Sequence, residues 1–415
     1  MLTYLNRHVM QPYMARRASS QFLRHLKVVA KTQFDPPEVI AARQLAAVKA
    51  QLHYAYDTVP YYRATWDRAG IHPGDVKTLA DLAGFPILTK ADIRANEADL
   101  LAEPYRGVKV RVKRTSGSTG VPLTIRVDEP AMQFKYACTV RSDEWSGYRL
   151  GQRTAKIWGN PEYLRNGWRG WFRNRFLDRS YYLDTIHLTD AKIAAFAAGL
   201  RRKPPGLVFG HAHSLFLVAC HLKKTGVMDV RPNGIVSTAM VLHDYQRKVI
   251  EEVFATPVTN RYGCEEVGLI ASQCEKHCGF HVNSDSVYVE APAGRPGRLL
   301  VTDFVNKAMP LIRYQIGDVA VGAGHQCPCG RGLPLLERIE GREADYVVTP
   351  AGTLISGISL TENFALLIDG TAQVQIVQET VHDLRIRLVP GAGFGDASRG
   401  QIGKLVHETF GPTVR

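Results

Sequence analysis

Apolar residues recur at loosely helical spacing from the start of the chain, at Leu2, Leu5, Val9, Tyr13, Phe22, Leu26 and Val29. Residues 36–59 read as a further helix, opened by Pro36-Pro37 and ended at Val59-Pro60-Tyr61-Tyr62. Helical patterns continue to about residue 100. The period then changes. Val108-Lys109-Val110-Arg111-Val112 alternates as a strand does, and Leu123-Thr124-Ile125-Arg126-Val127 reads as another. A glycine-rich turn over 115–122 separates them. From 150 to 260 short apolar runs alternate with helical stretches. Leu207-Val208-Phe209, Gly234-Ile235-Val236-Ser237 and Val258-Thr259-Asn260-Arg261-Tyr262 read as strands, and 243–254 as a helix. That alternation predicts an α/β fold with buried strands. Past residue 280 the chain turns strand-rich, over 286–290, 298–303 and 318–321. Beyond Glu340-Gly341-Arg342 come strands near 345–355, 372–378 and 384–388 and a helix over 397–410. The expected organisation is a large domain over 1–339 and a small α+β domain over 340–415.

Composition narrows the function classes. A chain of 415 residues, 45% hydrophobic, can bury a sizeable core, and 22% charge excludes wholesale disorder. Seven cysteines do not make a secreted disulfide scaffold. No apolar run reaches the ~18 residues of a membrane span, and Arg7, Arg16 and Arg17 break up any secretory apolar region. A cytoplasmic protein is expected. The net charge of +13 favours anionic partners. Part of it lies in residues 1–34, which hold six Lys or Arg and no acid. That segment reads as a helix packed on the body, as a basic amphipathic helix on the inner face of an anionic membrane, or as a targeting peptide. A second part is Arg165, Arg169, Arg173, Arg175 and Arg179, interleaved with Trp168, Trp171 and Phe172. Such a segment suits a solvated helix with an aromatic packing face, a membrane interface or a polyanionic acceptor. Single-stranded nucleic acid is a further reading, but nothing specifies a nucleic-acid partner.

Candidate chemistry begins at Thr115-Ser116-Gly117-Ser118-Thr119-Gly120. Gly117 and Gly120 permit tight turns whose N–H groups converge on phosphate oxygens. Thr115, Ser116, Ser118 and Thr119 add hydroxyl donors. The loop is neither a Walker A loop nor a dinucleotide fingerprint. Three further segments follow in order: Tyr262-Gly263-Cys264-Glu265-Glu266, Arg313-Tyr314-Gln315-Ile316-Gly317-Asp318 and Gly341-Arg342-Glu343-Ala344-Asp345.

This ordered set resembles the adenylate-forming superfamily, whose patterns are TSGSTGxP, YGxTE, YRTGD and GRxDD. Three more segments are similar to the N-terminal part of the phenylacetate-CoA ligases: Ala55 to Arg63, Leu79 to Pro86 and Thr89 to Asp92. Arg261 to Ala271 looks like the CapK-like branch, which is associated with capsular and exopolysaccharide biosynthesis. The resemblance covers roughly residues 45–415.

It implies a large adenylate-forming domain of mixed sheets with flanking helices and a small mobile C-terminal domain. It also implies ATP- and Mg²⁺-dependent activation of a small carboxylate as an acyl-adenylate. Transfer to CoA, or to an amine or hydroxyl acceptor, would follow. Position by position, the 115–120 loop would hold the β- and γ-phosphates. Thr238 and Ala239 would lie on the adenine side, with Tyr262 stacked on the base and Gly263 giving close approach. Glu266 would bind Mg²⁺, Asp318 the ribose hydroxyls, and Arg342 ribose or phosphate. Gly210, His211 and Ser214 would border the acyl pocket, with His211 or His213 as loop residues lining it or serving as a base. A homodimer and peripheral membrane contact are compatible with this reading.

The chain departs from the family at three places. Glu265 stands at a nucleotide-facing position where Thr or Ser is usual, and Ala344 where a hinge Asp or Lys lies. No lysine fits the C-terminal adenylation position. Lys404 falls within the expected terminal helix, and the chain stops at Phe410-Gly411-Pro412-Thr413-Val414-Arg415, where the family's strand would start. This leaves open an incomplete second domain, or a scaffold that binds nucleotide without turnover. A further alternative is transfer of AMP to a non-carboxylate acceptor.

The cysteines form another constellation, Cys274-x3-Cys278-x2-His281 followed by Cys327-Pro328-Cys329. Spacing alone leaves zinc and unlinked buried cysteines equally open. The resemblance implies a structural zinc on Cys274, His281, Cys327 and Cys329, with Cys278 in reserve. Cys264 reads as part of the adenine site, and Cys138 and Cys220 as core residues.

Overall fold

The computed structural model describes residues 2–114, 123–158, 179–185, 189–342, 346–350, 354–356, 368–391, 393–411 and 413–414. The expected strands flanking the glycine-rich turn form an antiparallel hairpin, β1 (Arg111–Arg114) with β2 (Thr124–Val127). The turn itself, 115–122, lies outside the described residues. The next strands are β3 (Thr154–Trp158), β4 (Ser180–Asp184), β5 (Leu207–His211), β6 (Gly234–Thr238) and β7 (Val258–Cys264). They pair in parallel in the order β4-β3-β5-β6-β7. Helices Asp190–Arg202, Ala212–Lys224 and Asp244–Phe254 make the crossovers between β4, β5, β6 and β7. The central strand β6 is buried along its whole length, which is why it reads as an apolar run, whereas β3 and β4 are only partly buried. Ile157, Val208 and Ile235 pack there with Leu215, Val218 and Phe254 in one core.

Six more strands complete a sheet of eleven. They are β8 (Gly268–Ser272), β9 (Phe280–Val282), β10 (Val287–Glu290), β11 (Gly297–Asp303), β12 (Leu311–Gly322) and β13 (Leu335–Arg342). The sheet turns antiparallel from β7 through β8, β9 and β13. The strand expected over 318–321 is only the end of β12, which starts at Leu311.

Helix Glu129–Trp145 is capped by Asp128, whose carboxylate accepts from the Ala131 amide at 2.8 Å. It carries two buried cations. Lys135 pairs with Asp303, and Arg141 with Asp285 and with Asn283 at 2.8 Å. Its Ala137 and Val140 also receive Phe22 and Leu26 of helix Phe22–Thr32. That N-terminal helix is therefore packed on the body.

Contacts divide the chain into two compact units. One comprises Met1–Arg295, Leu299–Ile316 and Val321–Arg338, the other Pro296–Arg298, Gly317–Ala320 and Ile339–Arg415. The second unit holds hairpins β14 (Tyr346–Val348)–β15 (Leu354–Ser356) and β16 (Thr371–Thr380)–β17 (Asp383–Pro390), with helix Asp396–Phe410. Val347, Ile368 and Phe410 centre its core. Among the described residues, no helix is long and apolar enough to cross a membrane.

Asp303 is fully buried and its other oxygen accepts from the Val305 and Asn306 amides. Removing its cation leaves an uncompensated buried charge. Lys135→Met is expected to lower stability by about 3–5 kcal/mol, read as a shift of the urea unfolding midpoint.

Candidate functional site

The carboxyl ends of the parallel strands are where open α/β sheets place their ligands. Register aligns His211 with Thr238, and Thr238 with Arg261. Paired residues of parallel strands share a face, so these three form one row. Trp158, at the end of β3, extends it: its ring centroid lies 3.7 Å from that of His211 and 5.2 Å from that of Phe209. The Arg261 guanidinium sits 4.5 Å over Phe209 and donates to Asp143 at 2.8 Å. Burial raises the Asp143 carboxyl, and Arg261 opposes that shift. Burial lowers His211, which favours a neutral imidazole.

Gly210 allows this row to close up. A Cβ there would sit 2.8 Å from the Ile157 carbonyl oxygen. The residue is thus required by strand packing, a structural role beside the acyl-pocket one expected. Ser214 is buried in helix Ala212–Lys224, and His213 lies in the first turn of that helix, not in a loop. Directly after Thr238, Ala239 takes φ 67°. A left-handed conformation at a non-glycine residue costs about 1–3 kcal/mol and clusters at functional turns.

Tyr262 and Gly263 continue along β7, where the register with β8 shifts between them. A Cβ on Gly263 would lie 2.4 Å from the Gly268 carbonyl oxygen, so no side chain fits. The turn from β7 to β8 exposes Glu265 and buries Glu266. One Glu266 carboxylate oxygen accepts from the Tyr314 hydroxyl at 2.9 Å, and Tyr314 is fully buried. The other oxygen is the kind of hard donor that Mg²⁺ takes.

Two contributions escaped the sequence reading. Lys113 of β1 donates to the Glu265 carbonyl at 3.3 Å, which ties the hairpin around the glycine-rich turn to the Glu266 turn. Burial lowers its ammonium, with Glu265 opposing the shift. A lone lysine in an alternating strand gave no signal of this. The second is the anchoring of Tyr314. Leu88 bridges β12 through bonds from its amide to the Arg313 carbonyl (3.1 Å) and from the Gln315 amide to its own carbonyl (2.9 Å). Arg313 grips Glu290 with two nitrogens and donates to the Ala83 and Phe85 carbonyls. The Tyr62 hydroxyl donates to the Pro310 carbonyl at 2.8 Å and accepts from the Ile312 amide at 3.0 Å. The N-terminal segments that carry the resemblance thus clamp the strand behind Glu266.

Asp318 is half-buried on β12 after Gly317, whose φ is 97°. Arg342 ends β13, and its side chain is outside the described residues, as are Thr115, Ser116, Gly117, Ser118, Thr119 and Gly120. Ala344 and the stretch from Arg165 to Arg175 are also outside them. Lys404 is exposed in helix Asp396–Phe410, 3.8 Å from Glu408.

The structure brings Cys274, His281, Cys327 and Cys329 together, with all four donor atoms within 4.8 Å of one another. The Cys274 and Cys327 sulfurs lie 3.6 Å apart, and Cys329 Sγ lies 3.3 Å from His281 Nε2. Zn–S bonds of about 2.3 Å and Zn–N bonds of about 2.0 Å at a tetrahedral angle put ligand atoms roughly 3.5–3.8 Å apart. The donor set and spacing therefore fit zinc. Ile40, Trp145, Leu333 and Leu335 enclose it. Burial raises the Cys274 thiol to about 12 and lowers His281 to about 4. Cys329 is lowered, because bonds from the Arg331 backbone and side chain outweigh its burial. Cys278 is exposed and outside the cluster. Cys138 is a core residue and Cys220 is half-buried.

No family model matches the chain. Phenylacetate-coenzyme A ligase of Aromatoleum evansii is 26% identical over 332 residues, 74% of this chain and 72% of that protein. Protein CapK of Staphylococcus aureus is 23% identical over 321 residues, 75% of this chain and 70% of its own. The crystal structure of a 2-hydroxyisobutyryl-CoA ligase in the postadenylation state superposes with a TM-score of 0.71 at 19% identity, covering 93% of this chain and 87% of the other. The fold is that of the adenylate-forming CoA ligases, and the ordered motifs resemble theirs. Among curated proteins the chain is similar to phenylacetate-CoA ligases and to CapK, at 23–27% identity.

Gly263→Ala must push β7 away from β8. Overpacking of this sort costs about 1–3 kcal/mol, so thermal unfolding is expected to move down measurably, whereas Gly84→Ala, where a Cβ meets nothing within 4 Å, leaves it nearly unchanged.

Proposed function

We propose that the chain uses Mg²⁺ and ATP to convert a small carboxylate to an acyl-adenylate, and passes the acyl group to CoA or another nucleophilic acceptor. The observation that carries this reading is the buried Glu266, held by Tyr314 at the carboxyl edge of the parallel strands. The similarity to phenylacetate-CoA ligases supports the same reaction. Adenylation needs charge neutralised on the α-phosphate while a carboxylate approaches it. Mg²⁺, when bound, supplies that neutralisation. Glu266 would hold the ion by the oxygen Tyr314 leaves, and the Lys113 ammonium would add positive charge beside the same turn. Tyr262, Gly263, Thr238 and Ala239 would receive adenine, and Asp318 the ribose. The row of Trp158, His211 and Thr238 would border the acyl group. A neutral His211 next to an aromatic ring suits a hydrogen bond to a bound acid better than an ion pair.

The fourfold Cys-His cluster is a structural zinc site in this reading. It lies in an apolar shell and leaves no open coordination position, as structural sites do. Metal analysis of purified protein with reduced thiols is expected to find about one zinc per chain, and Cys329→Ser to lose most of it; less than ~0.2 per chain in the parent would refute the site.

Pyrophosphate exchange over a panel of carboxylic acids tests the reaction. Exchange dependent on one acid class supports it; ATP binding with no exchange on any acid overturns it. Tyr314→Phe is a positioning variant. It removes the bond that orients Glu266, and is expected to raise the Mg²⁺ concentration for half-maximal exchange about 10–100-fold, with a smaller change once Mg²⁺ saturates.

A further inference from the structure

The first helical segment of the chain, Leu2–Arg17, is mounted with its polarity reversed. A surface helix normally buries its apolar stripe and shows a polar face to water. Here Thr3, Asn6 and Arg7 face the body. Asn6 is buried, and its side-chain oxygen accepts from Gln11 at 3.3 Å. Arg7 reaches Glu144 at 3.5 Å, and Thr3 accepts from Arg179 at 3.2 Å. Gly151 makes the close approach possible, since a Cβ there would lie 3.1 Å from the Arg7 amide nitrogen, the Asn6 side-chain oxygen and the Thr3 carbonyl oxygen.

One apolar stripe points outward, while Met10, Pro12 and Met14 are half-buried. Leu5, Val9 and Tyr13, spaced four apart, are 43%, 53% and 61% exposed, and Tyr4 is 69% exposed, its ring tilted against that of His8 with centroids 4.4 Å apart. Four-residue spacing puts Leu5, Val9 and Tyr13 in one stripe. Arg16 and Arg17 follow the stripe and are exposed. The next helix, Phe22–Thr32, has ordinary polarity: it buries Phe22, Leu26 and Val29 and exposes Arg24, Lys27 and Lys31. No acidic residue occurs before Asp35.

An exposed apolar stripe ending in cations matches an interface that is apolar a few ångströms down and anionic at its surface. We propose that segment Leu2–Arg17 docks the protein on an anionic lipid bilayer, with Leu5, Val9 and Tyr13 entering the headgroup–acyl boundary and Arg16 and Arg17 pairing with lipid phosphates. The helix is already folded and clamped to the body, so binding orders little new chain and brings the protein to the bilayer in one orientation. This is independent of the reaction proposed above.

The test is co-sedimentation of the whole chain with vesicles of neutral phosphatidylcholine alone or with ~30% phosphatidylglycerol. Binding to the anionic vesicles at least tenfold above the neutral ones, weakened by added salt, is expected. Leu5→Ser/Val9→Ser/Tyr13→Ser should lose binding at least tenfold, and Arg16→Glu/Arg17→Glu should lose the preference for anionic lipid. Both variants touch only exposed side chains, and an unchanged thermal midpoint shows that they fold. Equal binding to both vesicle types, or a triple variant that binds as the parent does, overturns the proposal. So does a concentration-dependent dimer in sedimentation velocity that the triple variant abolishes without any vesicle binding by the parent, because the stripe would then be an interface between copies. Retention of the parent on nucleic acid but not on anionic vesicles also overturns it.

Discussion

A buried carboxylate needs a partner, and the hydrogen bond from Tyr314 to Glu266 is the constraint around which the site is arranged. Glu266 is 6% exposed and Tyr314 not at all. Taking a carboxylate out of water without such a bond would cost several kcal/mol or neutralise it. Tyr314 can serve only if β12 is held in place, and three remote segments hold it. Tyr62 bonds both sides of the Pro310–Ile312 backbone, Leu88 bridges Arg313 and Gln315, and Arg313 caps Ala83 and Phe85. The N-terminal helices are therefore part of the site's support, although none of them is in contact with Glu266 through a described bond.

The second constraint is close approach between strands. Gly210 lets β5 lie against Ile157, and Gly263 lets β7 lie against Gly268. Both sit at the ends of parallel strands, where the row of Trp158, His211, Thr238 and Arg261 forms. A methyl group at Gly210 would separate β5 from β3, two strands that carry the row, and one at Gly263 would push β7 away from β8. The left-handed Ala239 adds strain at the same edge. Strain persists only where surrounding structure over-determines it, and here Thr238 is held in register on both sides.

Three of the five parallel strands were legible because strands buried on both faces are apolar runs; β3 and β4, which alternate or are mostly half-buried, carry no such run. Leu207-Val208-Phe209, Gly234 to Ser237 and Val258 to Tyr262 all fall inside β5, β6 and β7. The antiparallel half was less so. Gly268–Ser272 and Phe280–Val282 are only five and three residues long, too short for an alternating pattern to mark them as strands. Spacing could not choose between Cys278 and its neighbours, since the ligand set spans 53 residues between Cys274 and Cys327 and is defined only by folding. At the N-terminus the periodicity was correct and the polarity was not fixed by it. Leu5, Val9 and Tyr13 do share a stripe, but Asn6 is the residue that goes inward. A moment has a direction only relative to a partner, and the partner surface at Gly151 is polar backbone.

The Cys-His cluster and the N-terminal platform are mechanically joined. The Gln33 side chain accepts from Trp145 at 2.8 Å and from Arg331 at 3.0 Å, while its backbone carbonyl accepts from the Gly332 amide at 3.1 Å. Gly332 is pressed against the Asp35 carbonyl so closely that a Cβ would lie 2.1 Å from it. Arg331 in turn lies 4.8 Å over Trp145 and donates to Glu275 at 3.0 Å. The turn that carries Cys327 and Cys329 is thus the surface on which helix Phe22–Thr32 ends. Two buried thiols and a neutral imidazole provide little cohesion by themselves, whereas a bound divalent ion would hold that turn by two bonds and tie it to Cys274 and His281 by two more. Fixing the turn fixes Gln33, and through it the end of the helix that follows the exposed stripe.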